Sequence, residues 1–165
     1  TGSASAPTPV VSAHVTVAAV AATGTASAPA PVVAAVTFTP SGMTKSGTQS
    51  FTTSWALLTS WTADTGTYPG STVVSNALQV QGGKSDATIA VSLPYSSSFS
   101  YNRQARIKVN GTIVATSAAY TATSGTITVS ATGVAVADVD GVTVEVIMAT
   151  FASGSISAGG TVTVT

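Results

Sequence analysis

Between Ala105 and Ala115 the chain alternates polar and apolar residues on both sides of one pair. Ala105-Arg106-Ile107-Lys108-Val109 precedes Asn110-Gly111, and Thr112-Ile113-Val114-Ala115 follows it. A period of two is the strand period, and Asn-Gly tolerates the positive φ that a two-residue type I′ turn demands. Such a chain is committed to antiparallel pairing. Further strands are predicted at 72–74, 77–81, 87–93, 126–131 and 160–165. A second hairpin is predicted from Val134-Ala135-Val136-Ala137 through Asp138-Val139-Asp140-Gly141 to Val142-Thr143-Val144-Glu145-Val146. A third has Gly82-Gly83 joining Leu78-Gln79-Val80 to Thr88-Ile89-Ala90-Val91. Short strands at roughly 8–12-residue spacing, divided by Gly, Asn and Ser, predict an all-β fold, an antiparallel β-sandwich or jelly roll over residues 40–165. Phe51, Trp55 and Leu58 stand at helical spacing, but the Thr and Ser between them are indifferent helix formers, so a helix is not the preferred reading.

What precedes residue 40 is different. Gly2 to Ala13 (GSASAPTPVVSA) returns 22 residues later as Gly24 to Ala35 (GTASAPAPVVAA), with nine of twelve positions identical. Each copy opens with Ala-Pro-x-Pro, which favours an extended path and forbids a central strand. Alternating runs follow at His14-Val15-Thr16-Val17 and within Val32 to Phe38. Two short copies cannot bury their own apolar faces, whereas copies in other chains could complete them. Residues 1–39 are therefore expected to form an extended β-rich repeat stalk shared by three chains, a homotrimer. The same composition also fits a flexible linker; the alternating valines favour order.

Only 6% of residues are charged and the formal net charge is zero, against about 25% charged in ordinary soluble domains. Arg103, Arg106 and Lys108 are the only clustered cations, too few for an electrostatic grip on nucleic acid or anionic lipid. There is no cysteine, hence no disulfide framework or thiolate metal site. The aliphatic run Val17 to Ala22 falls far short of the ~20 residues of a membrane helix, and no membrane insertion is expected. The first residue is Thr1 with no leader-like pattern behind it, so the natural start is expected to lie upstream.

The residues offer little reactive chemistry. The single histidine, His14, sits in the repeat region, and no Gly-x-Ser-x-Gly elbow occurs. The five carboxylates (Asp64, Asp86, Asp138, Asp140 and Glu145) show no spacing that demands the facing pair of a glycosidase. Asp138 and Asp140 before Gly141 read as a turn rather than a calcium loop. Gly82-Gly83-Lys84-Ser85 lacks the leading glycine of a phosphate loop, since position 78 is Leu. No catalytic residue, metal or cofactor is expected. Aromatic side chains remain as candidates for contact. Trp55 and Trp61 are read first as core residues; Trp61 with Tyr68 and Asp64 also makes an acid-plus-aromatic cluster of the sort found in sugar sites. Tyr95-Ser-Ser-Ser-Phe99-Ser-Tyr101 interleaves aromatics with serine between strands, the composition of an adaptable binding loop. The candidate ligand-binding residues are thus Tyr95, Phe99, Tyr101, Trp61, Tyr68 and Asp64.

Taken together, the Ala-Ser-Ala-Pro-x-Pro-Val-Val repeats, the stretch from Trp61 to Leu78, the Arg106-Ile-Lys-Val-Asn-Gly-Thr-Ile-Val-Ala hairpin and the segment 131–146 resemble minor tail proteins of phages infecting actinobacteria. The resemblance implies a virion component outside the cell, a tail fibre or spike with terminal β-sandwich modules. Its partners would be copies of itself, other tail proteins and a host cell-surface glycan. Several copies, each binding weakly, would give avidity. Two other readings stay open: a secreted carbohydrate-binding or adhesin module, and a purely structural component of tail or capsid assembly. A polysaccharide depolymerase would need a carboxylate pair, with Asp64 and Asp86 the residues to replace.

Overall fold

The computed structural model describes residues 36–150 and 153–165, which lie within one compact unit, Val36–Thr165. The repeats, with the strand expected at 14–17 and the start of the run at 32–38, lie outside them. The described residues contain strands and no helix. Phe51 and Leu58 are buried, but on irregular backbone either side of a short strand at 56–57 rather than on one helical face.

Among the described residues thirteen strands make two antiparallel sheets. The first is built on β7 (Lys84–Ser96). One edge of β7 pairs with β10 (Ser124–Val136), and the other with β12 (Ser155–Ile156) and β13 (Thr161–Val164) in turn. Beyond them lie β1 (Ser41–Lys45), β2 (Gln49–Ser50) and, outermost, β4 (Trp61–Ala63). The second sheet runs β5 (Thr72–Val74), β6 (Ala77–Gln79), β11 (Gly141–Met148), β8 (Arg103–Val109), β9 (Thr112–Thr116), with β3 (Ala56–Leu57) also on β11.

Alternation decides what each sheet buries. On β7, Ala87, Ile89, Val91, Leu93 and Tyr95 are buried while the residues between them are not. On β11 the same holds for Val142, Val144, Val146 and Met148, and on β8 for Ala105, Ile107 and Val109. The inward faces merge into a single hydrophobic core. At about 25 cal/mol per Å² of apolar surface removed from water, this burial is the main stabilising term in a chain with so few charges.

The Asn110-Gly111 hairpin is present as predicted, with φ of 48° and 83° and Val109 paired to Thr112. The other two expected hairpins are not hairpins. β6 pairs with β5 and β11, and β7 lies in the other sheet, so Gly82-Gly83 carries the chain from one sheet to the other. Gly82 has φ of 75°, and a Cβ there would meet the Thr37 carbonyl oxygen at 2.5 Å. Its N–H donates to Asp138 Oδ1 at 2.8 Å. The turn at 138–141 likewise crosses from β10 to β11 in the other sheet. Asp140 Oδ2 closes it by accepting from Ala137 N at 2.8 Å.

At its tip Val139 is 69% exposed with φ of 61°. A β-branched residue there carries roughly 1–2 kcal/mol of strain. Val139→Asn is therefore expected to raise stability by about 1 kcal/mol, read as a higher urea midpoint at unchanged slope.

The ends of the domain have distinct characters. Thr37 bridges Gly83, Thr39 N donates to Gln81 O, and Thr165 N donates to Thr88 O, so residues 37–39 and residue 165 lie at the Lys84 end of β7. Asp138 and Asp140 lie there as well, because Lys84 pairs with Val136. The loop 97–102 follows Ser96 at the other end of this 13-residue strand, ~40 Å away at about 3.3 Å per residue.

Candidate functional site

The loop end is organised around Arg103, which parity along β8 turns inward with Ala105, Ile107 and Val109. Its side chain is fully buried and forms no ion pair among the described residues. The guanidinium instead lies 5.0 Å from the ring centre of Tyr95 and 5.9 Å from that of Phe51. Nη1 donates to Ala122 O at 2.6 Å and Nη2 donates to Phe99 O; Nε makes no hydrogen bond. A buried cation costs several kcal/mol unless donors and ring faces replace water, and here main-chain carbonyls do so. Those carbonyls belong to the two loops, 97–102 and 117–123, so the price of desolvation yields a pin between them.

Other bonds reinforce it. Ser97 N donates to Thr123 O at 2.7 Å, Tyr95 Oη to Ala122 O at 3.1 Å, and Ala149 N to Asn102 O at 3.1 Å. Arg103 and Tyr120 exchange main-chain bonds of 2.9 Å in both directions. Tyr95 makes edge contacts with Phe51 and Tyr120, each with ring centres 6.4 Å apart. On this base Phe99 and Tyr101 stand 51% and 38% exposed, with centroids 6.2 Å apart.

The six candidate residues therefore separate. Phe99 and Tyr101 share one exposed loop. Tyr95 sits beneath it as core, on β7 rather than on the loop. Trp61 is buried, with its indole N–H donating to Leu58 O at 3.0 Å. Asp64 Oδ1 accepts from Thr67 N at 3.1 Å, which fixes the turn that lays Tyr68 against Gly42. Asp64 and Tyr68 are thus neighbours, but in a separate place from the loop. Arg103 was missed. The signal for it was its register with three inward-facing apolar residues.

Trp55 departs from the core reading. It is half-buried on the outer face of the second sheet, with the Arg106 guanidinium 4.3 Å from its ring centre. Arg106 in turn meets Glu145 at 2.5 Å and Lys108 meets it at 3.0 Å. Burial works against the Glu145 carboxylate, but hydrogen bonds and charge from Lys108 and Arg106 outweigh it and hold the group below its ordinary value of 4.5. A carboxyl with a depressed folded-state pKa stabilises above the unfolded value and loses that contribution as pH falls through the folded one. The stability difference between wild type and Glu145→Gln is therefore expected to be full well above 4.5 and to shrink as pH falls below it, as measured by urea titrations across that range.

The outer face of the first sheet is chemically different. Ala90, Ser92, Thr128, Ser130, Thr161 and Thr163 line a shallow depression of about 360 Å³ there. Among the described residues no group of three or more His, Asp or Glu side chains is placed to hold a metal ion. Asp138, Asp140, Asp64 and Glu145 are each engaged with backbone or cation partners. No protein-family model matches the chain, and no curated protein matches its sequence.

Proposed function

We propose that the domain is a non-catalytic attachment module of a phage tail fibre or spike, which meets a host cell-surface glycan with the Phe99–Tyr101 loop. One observation carries the reading: two exposed aromatic side chains ride on a short loop pinned by a buried arginine, at the opposite end of β7 from residues 37 and 165. Pre-ordering lowers the entropic cost of a weak contact, and rings of this kind suit the C–H faces of sugars. In a trimer three loops would act together, and avidity would raise the apparent affinity without new contacts.

The test is location and assembly. Antibody against this chain, imaged by electron microscopy on the phage particles that carry it, is expected to label the exposed tip of the tail. Sedimentation of the full chain is expected to give a trimer. Label confined to the interior of the tail or capsid would instead support a structural assembly role. A monomer with no counterpart in virions would support the secreted adhesin reading.

A further inference from the structure

We propose that Trp55, Arg106 and Lys108 form a second binding site, on the outer face of the second sheet, for a carboxylated sugar. The inference rests on the attachment reading only in taking a glycan as the partner; its residues and its chemistry are separate from the loop end. Pairing places the groups. Leu57 is opposite Glu145 and Glu145 is opposite Arg106, while Thr143 is opposite Lys108 on the neighbouring rung. Alternation then sets Arg106, Lys108 and Glu145 together on the side of the sheet facing away from the core.

The charge on this face does not cancel. Glu145 Oε2 accepts from Arg106 Nε at 2.6 Å and Oε1 accepts from Lys108 Nζ at 3.0 Å, so both carboxylate oxygens are used. Two cations against one anion leave a net charge of +1, with side chains 20% and 22% exposed. In a chain with five basic and five acidic residues in all, this is a concentrated feature. The next carboxylate along the chain before β11, Asp140, is already engaged, accepting from Ala137 N and Asn110 Nδ2.

Beside the excess charge lies an indole. The Arg106 guanidinium holds Trp55 at 4.3 Å, which fixes the ring before a ligand arrives. Leu57, 37% exposed, extends the apolar surface. An indole beside Arg106, with a second cation two residues further along β8, matches a run of pyranoses that carry carboxylates: C–H groups of one ring on the indole, and a charge-assisted bond from a neighbouring ring's carboxylate to Lys108. The first sheet's outer depression has hydroxyls and methyls but no charge, so it offers nothing for the carboxylate.

The experiment is a titration of the full chain with a tetramer of galacturonic acid and, in parallel, with its methyl ester, which keeps the rings and removes the charge. Trp61 is buried, so a change in indole emission reports Trp55; calorimetry supplies a second readout. The acid is expected to bind and the ester to bind at least tenfold more weakly, with Lys108→Gln and Trp55→Phe each costing the acid roughly tenfold. Binding of the acid is expected to weaken as salt rises. The Phe99→Ala/Tyr101→Ala double variant is expected to bind the acid unchanged, so that failure of the loop reading and failure of this site give different results. Equal binding of acid and ester, indifference to Lys108→Gln, or no binding of the acid would overturn the proposal.

Discussion

Arg103→Ala is expected to lower the stability of the domain by about 3–5 kcal/mol, among the largest effects of any single side chain. The substitution empties a fully buried volume, removes the donor to the carbonyls of Phe99 and Ala122, and takes a cation from the faces of Tyr95 and Phe51. Arg103→Met fills much of the same space without a charge to desolvate, so it is expected to recover part of the loss but not the order of the loops. Urea unfolding at constant slope measures the first effect. Hydrogen exchange at the amides of 97–102 measures the second, and should quicken in both variants. A loss near 1 kcal/mol for Arg103→Ala, with unchanged exchange, would mean that the loops are held by their other bonds.

Gly154→Ala should cost about 3 kcal/mol, through backbone rather than side-chain geometry. Gly154 has φ of 82°, and a Cβ there would stand 2.1 Å from Ser96 O and 2.5 Å from Ser97 Cα. Neither atom can swing away, because Ser96 pairs with Ser155 and with Ser124, and Ser97 N is bonded to Thr123 O. Relief requires shifting the start of the aromatic loop. Gly47→Ala is the control: φ is 66° there too, but nothing lies within 4 Å of the added atom. It should show only the ~1 kcal/mol of a left-handed backbone. Thermal unfolding of the pair separates collision from conformation, and equal losses would contradict the packing described at Gly154.

Local pattern carried much of this architecture. Asn110-Gly111 was legible because a type I′ turn is decided by two residues, and alternation along β7, β8 and β11 marks the buried side of each strand. Partners were less legible. Nothing in Asp138-Val139-Asp140-Gly141 distinguishes a turn joining paired neighbours from one that crosses between sheets, since the difference lies in long-range pairing. The same is true of Gly82, whose role depends on Thr37 passing beside it. At the candidate site, Phe99 and Tyr101 were readable from their serine-rich setting. Tyr95 belongs to β7 instead of that loop, because the strand runs further than the alternating pattern, through Pro94 to Ser96. Arg103 has inward parity on β8, but composition gives no sign of it, because a charged residue is expected to face water. Trp55 erred the other way: its size suggested core, while a cation on the sheet surface provides its cover.

The central claim is that the Phe99–Tyr101 loop is the contact surface. Its most direct measurement is co-sedimentation of the purified full chain with envelope fragments of actinobacterial cells, comparing wild type with Phe99→Ala/Tyr101→Ala at matched thermal stability. Wild type is expected to sediment with the envelopes, and the double variant, still folded, to lose at least tenfold in apparent affinity. Undiminished sedimentation of the folded double variant would contradict it.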